Sequence, residues 1–175
     1  SNSMTFSDGE PGYVLASGGV PEREILCVRA DGSGDVSKSH VVWRTQRMMP
    51  YVPTAVYHDG YFYILTDTGI AQCLAAESGK IAWRKRLGDR FKASLTLAGT
   101  RIYATSETGT THVFAARPQF EQLSENTLAE GAFATPAICS GRIYLRTYHH
   151  LYCIGDTDTR RSAASLGPLT TEFPA

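Results

Sequence analysis

His58 to Leu87 reads HDGYFYILTDTGIAQCLAAESGKIAWRKRL, three hydrophobic runs parted by Asp59-Gly60, Asp67-Thr68-Gly69 and Glu77-Ser78-Gly79. With the run before it, these make an inner strand over 51–57 and further strands over 61–66, 70–75 and 80–87. Each run is short, rich in β-branched and aromatic residues, and bounded by Gly or Asp turn signals, which predicts a four-stranded antiparallel meander.

The unit recurs along the chain. Tyr63, Tyr103 and Tyr144 are spaced 40 and 41 residues apart, Cys73, Val113 and Cys153 are each 40 apart, and Trp43 and Trp83 are 40 apart. A period near 40 built from several short strands reads as propeller blades rather than a helical solenoid. The next unit repeats the strands over 91–97, 100–105, 111–116 and 120–127, with Leu123 where counting expects a Trp. A last unit offers 133–139, 142–147 and 150–154 and then loses the pattern, so its outer strand is expected to be missing. In front, 12–17, 25–29 and 41–47 supply three strands behind a clipped inner strand ending near Gly9. The expectation is an all-β propeller segment of about four four-stranded antiparallel blades, half of a larger ring. Its repeats run 4–47, 48–87, 88–128 and 129–156. Ser1-Asn2-Ser3 reads as the remnant of an expression tag, so that a signal peptide would have to lie upstream, and 157–175 as a disordered tail.

Composition narrows the function classes. The chain has 42% hydrophobic and 19% charged residues, ordinary for a globular domain, and 17 basic against 17 acidic residues. That balance lacks the broad positive field on which nucleic-acid or anionic-membrane binding relies. The clusters Arg44 to Arg47 and Arg84-Lys85-Arg86 read as solvated strand ends. No run approaches the ~18 apolar residues of a membrane span. Cys27, Cys73 and Cys153 share one repeat position, so they point the same way from separate blades without meeting. They read as reduced, structural cysteines that behave as small hydrophobes, and no Cys-x-x-Cys spacing suggests zinc.

Cys73-Leu74-Ala75-Ala76-Glu77-Ser78-Gly79-Lys80-Ile81-Ala82-Trp83 resembles the tryptophan-docking motif of pyrroloquinoline-quinone-type propeller repeats, with Ala75 in place of the motif Asp. In that motif the indole packs flat between blades and the Gly permits the tight turn before the outer strand. Stretches such as His40-Val41-Val42-Trp43-Arg44-Thr45 and Leu145-Arg146-Thr147 extend the resemblance over about residues 12–155, to the C-terminal half of bacterial quinoprotein-dehydrogenase-like propeller proteins. The resemblance implies a seven- or eight-bladed ring when complete and export to the periplasm or cell envelope, and does not imply catalysis. Quinone-dependent dehydrogenases of this type pair an Asp with calcium beside the pyrroloquinoline quinone, and many carry adjacent cysteines. No two cysteines are adjacent here and no Asp or Glu cluster has calcium-loop spacing; Asp31-Gly32-Ser33-Gly34-Asp35 comes closest and reads as a hairpin turn rather than a calcium loop.

Candidate binding residues lie on the connections between blades. Tyr51, Phe91 and Phe133 recur there at steps of 40 and 42, either ringing a ligand face or packing the blade tops. Arg90 and Lys92, which the repeat does not require, suit an acidic partner. His149-His150 is a pair on a strand, aimed to opposite faces and unable to chelate one ion together, and His58 and His112 sit at non-equivalent positions. Gly79, Trp43, Trp83, Tyr63, Tyr103 and Tyr144 are assigned to the repeat architecture. No nucleophile elbow, phosphate loop or metal set is evident, so no catalytic residue is assigned. The expected function is a non-catalytic binding or scaffold module with a protein partner or a second copy closing the ring as a homodimer. The alternatives are a fragment of a quinone-dependent dehydrogenase, needing pyrroloquinoline quinone and calcium, and the sensor portion of a larger signalling protein.

Overall fold

A computed structural model describes residues 3–18, 24–46 and 52–155. Fifteen strands are found among them, and no helix is long and apolar enough to cross a membrane. They form three four-stranded sheets and one three-stranded sheet, every sheet a meander of sequential antiparallel strands. The first holds β1 (Ser3–Phe6), β2 (Tyr13–Gly18), β3 (Glu24–Arg29) and β4 (Val41–Thr45). The second holds β5 (Val56–His58), β6 (Tyr61–Leu65), β7 (Ile70–Ala75) and β8 (Ile81–Arg86). The third holds β9 (Thr96–Ala98), β10 (Arg101–Thr105), β11 (Thr110–Ala115) and β12 (Gln122–Thr127), and the fourth β13 (Ala137–Cys139), β14 (Arg142–Arg146) and β15 (Leu151–Gly155).

The inner strands are shorter than the sequence suggests. The runs 51–57, 91–97 and 133–139 reduce to the three-residue strands Val56–His58, Thr96–Ala98 and Ala137–Cys139, the first two reaching one residue past their runs. Pro53 and Pro136 bring no amide hydrogen to a ladder. The neighbouring amides of Thr54 and Ser94 donate sideways to the next sheet, to Ser94 Oγ at 2.9 Å and Thr135 Oγ1 at 3.0 Å. Thr5 Oγ1 to the Ala55 carbonyl and Thr96 Oγ1 to the Pro136 carbonyl continue this stitching at 2.8 and 2.9 Å. What sequence reads as strand is thus a seam between blades. The clipped first inner strand also needs correcting: β1 pairs with β2 over four residues, Ser3 to Phe6, and is no shorter than its counterparts.

The hydrophobic cores lie between sheets. One, between the first and second, packs Leu15, Ile25 and Cys27 against Phe62, Ile64 and Leu74. The other, between the second and third, packs Tyr63, Leu65, Cys73 and Trp83 against Phe91, Ile102 and Phe114. Period-two alternation on two-sided sheets explains why β6 and β7 are buried almost throughout.

Indoles key one blade to the next. Trp43 stands opposite Cys27 on β4 and donates its Nε1–H to the Ala76 carbonyl of the next sheet at 2.7 Å. Trp83 stands opposite Cys73 on β8 and donates to the Arg117 carbonyl at 2.9 Å. In the third sheet the position opposite Val113 belongs to Ser124, not to Leu123. The turn before β12 is one residue longer: the Ala75 amide closes on Lys80, whereas the Ala115 amide closes on Glu121. Counting by 40 therefore lands one residue early, inside a β-bulge, where an extra residue is left out of the ladder.

Candidate functional site: the blade connections and the open fourth sheet

The connections running from β8 to β9 and from β12 to β13 are pinned by backbone bonds beneath the β6–β7 and β10–β11 turns. Leu87 N donates to Gly69 O and Leu128 N to Gly109 O, while Phe91 N donates to Asp67 O. A Cβ on Gly69 would stand 1.9 Å from the Gly88 carbonyl oxygen and one on Gly109 2.2 Å from that of Glu130. These two glycines let the crossing chain press onto the turn.

Pinned this way, the predicted face residues take different roles. Phe91 is 0% exposed and belongs to the core between the second and third sheets, so of its two readings it fills the packing one. Phe133 is 50% exposed and lies edge-to-face against Tyr148 with ring centroids 5.2 Å apart. The two are not repeat equivalents. Glu107 N donates to Arg90 O, and Tyr148 N to Gly131 O, which makes Ala132 the counterpart of Phe91. Arg90 is exposed and Lys92 half-buried beside the buried ring. Tyr51 lies outside the described residues, as do Arg47 and the connection 48–50.

The acidic residues near this face are taken up locally. Asp89 Oδ2 accepts from Thr108 Oγ1 at 2.9 Å. Glu130 Oε2 accepts the His149 amide at 2.9 Å, and Oε1 meets His150 Nδ1 and the Tyr152 hydroxyl. The His149 amide, seconded by His150, holds the Glu130 carboxyl at about 2, well below its ordinary 4.5. The histidine pair therefore departs from its expected place on a strand: both residues sit in the turn before β15, and both engage Glu130. Sequence reasoning missed this cluster because its acid and its histidines lie 20 residues apart, with no motif linking them.

The other charged stretches are local too. Arg84 Nε donates to Gln72 Oε1, Lys85 Nζ sits 5.6 Å over the Phe120 ring, and Arg86 reaches the Thr68 carbonyl. In the Asp31 to Asp35 loop, Asp31 pairs with Arg29 at 3.1 Å, and Asp35 accepts the Ser37 amide at 3.0 Å. Among the described residues no group of three His, Cys, Asp or Glu could hold a metal.

Burial falls steadily toward the fourth sheet. Tyr63 is 1% exposed, Tyr103 half-buried and Tyr144 36% exposed. Cys27 and Cys73 are buried, and desolvation pushes each thiol up to about 12. Cys139 and Cys153 are exposed, so Cys153 leaves the buried role its repeat position suggests. The cause is topological. Among the described residues β15 has no outer neighbour, and no further sheet covers the face that Tyr144 and Leu151 share, which leaves both in water, while Ile154, on the opposite face toward the third sheet, is exposed at the same open edge.

Meandering sheets joined radially, the first two locking an outer-strand indole onto the next sheet's turn, are the blades of a β-propeller. In fold the chain is similar to pyrroloquinoline-quinone-like propeller repeat proteins. Residues 35–119, just under half of the chain, match the family model described as outer membrane protein assembly factor BamB. Among solved structures it is similar to BamB from Moraxella catarrhalis, at 14% identity and a TM-score of 0.65 over 87% of this chain and 45% of that one. It is also similar to the quinohemoprotein alcohol dehydrogenase ADHIIG from Pseudomonas putida HK5, at 10% identity and a TM-score of 0.60 over 76% and 26% of the two chains. A europium-containing methanol dehydrogenase aligns at 13% identity and a TM-score of 0.50 over 71% and 24%. No curated protein sequence matches the chain. The chain thus spans less than half the length of the Moraxella protein and about a quarter of each dehydrogenase.

Proposed function

We propose that this chain is a non-catalytic binding or scaffold module of the bacterial cell envelope, working through a protein partner or a second copy that covers its fourth sheet. The observation carrying this reading is the open β15 edge beside exposed Tyr144 and Leu151, at sheet positions that are buried in the second blade. An unpaired edge next to an apolar face is a template for strand addition and burial by another chain. The match to a family described as an outer-membrane assembly factor supports the envelope setting. Arg90 and Lys92, with Asp89 and Glu130 already engaged, favour an acidic partner on the neighbouring face.

Light scattering at micromolar concentration, paired with calorimetric titration of pyrroloquinoline quinone in calcium, tests this reading. A dimeric mass supports closure by a second copy, and a monomer assigns the open sheet to a different protein. Stoichiometric quinone binding overturns the scaffold reading in favour of a dehydrogenase fragment.

A further inference from the structure

A cavity of about 390 Å³ lies between the third and fourth sheets, walled by Tyr103, Val113, Ile143 and Leu145 and free of charged lining residues. Its origin can be read by repeat position. The space is the counterpart of the packed core one blade earlier, which Trp83, Phe91 and Phe114 fill. Opposite Val113, where Trp83 opposes Cys73, stands Ser124. Ala132 takes the place of Phe91 through the matching backbone bonds of Gly131 and Arg90. Ile154, opposite Ile143 as Phe114 is opposite Ile102, takes the place of the third ring. Three aromatic rings are thus missing from one core, and the sheets have not closed over the gap.

We propose that this inter-blade cavity binds a small, uncharged aromatic molecule of one or two fused rings. Apolar cavities of about 150 Å³ already take up benzene, and ligand pockets begin near 300 Å³. Polar groups at the wall bond one another in two pairs. Thr105 Oγ1 and Thr111 Oγ1 are 3.0 Å apart, and Asn126 Nδ2 donates to Ser124 Oγ at 3.2 Å. A charged ligand would find no counter-ion there, whereas a flat apolar ring recovers contacts of the kind Trp83 makes with Phe114 and Phe120 in the preceding blade.

Indole is the probe. Saturation-transfer NMR on the full chain is expected to show saturable binding at a single site, with a thermal midpoint that rises with indole concentration. Ser124→Trp and Ile154→Phe, made separately, each restore a missing ring and are expected to weaken indole binding by about tenfold or more. Both positions are exposed, so either variant can fold without the other. Absence of saturation in the wild-type chain overturns the proposal, including the case in which the chain's own residues 156–175 fill the space. Binding that is unchanged in both folded variants overturns it equally, by assigning the indole to the open sheet face.

Discussion

Trp43 lies flat on Gly79: a Cβ added to Gly79 would stand 2.6 Å from Cδ2 of the indole, which donates to the Ala76 carbonyl at 2.7 Å. The glycine also has φ of +67°. Gly79→Ala therefore meets two penalties, about 1–2 kcal/mol for an L-residue in the left-handed region and about 1–3 kcal/mol for overpacking against the ring. Urea denaturation is expected to show a loss of about 2–4 kcal/mol, with a smaller loss when Trp43 is first replaced by Ala, because the clash is then gone.

Trp83 occupies the same joint one blade on, nearly buried among Tyr63, Phe114 and Phe120. Trp83→Ala is expected to cost about 3–5 kcal/mol, the range for emptying a large aromatic site. Trp83→Phe keeps a ring but removes the bond to Arg117 O, and is expected to cost about 1–2 kcal/mol. Equal losses in the two variants would mean that the hydrogen bond, rather than the ring, holds the blades together.

These joints are legible in the sequence because a Trp, its turn and its Gly are local and recur with the period. The errors came from single-residue changes that a fixed period cannot register. One extra residue in the turn before β12 moves the docking position from Leu123 to Ser124, and a step of 42 pairs Phe133 with Phe91 where Ala132 is the true counterpart. Such shifts show only in ladder register, a pairing between distant residues. Inner-strand length was misread for a similar reason. Runs such as Phe91 to Leu97 have strand composition, but their amides bond across to the neighbouring blade, a tertiary choice that local pattern does not encode.

Thiol accessibility reports the burial gradient directly. Cys27 and Cys73 are buried with thiols pushed up to about 12, while Cys139 and Cys153 are exposed. A chromogenic disulfide reagent at pH 8 is expected to titrate the latter two quickly in the native protein, and Cys27 and Cys73 only on unfolding. Protection of Cys153 that appears as concentration rises would map a covering chain onto the fourth sheet. Fast reaction of Cys73 would contradict the packing between the second and third blades.

Glu130 ties the connection after β12 to the turn before β15, and its protonation should loosen that tie. Its carboxyl is held near 2 against an ordinary 4.5, first by the His149 amide and then by His150. A depressed carboxyl pKa means that the unfolded chain takes up the proton first. The contribution is then fully present above about 4.5 and is lost as pH falls toward 2. Glu130→Gln keeps the shape and removes the titration. The variant is expected to be less stable than the wild type at neutral pH, with the difference shrinking steadily across that window in thermal melts. A wild-type minus variant difference that stays flat from pH 5 to pH 2 would show that the carboxylate contributes through shape rather than charge.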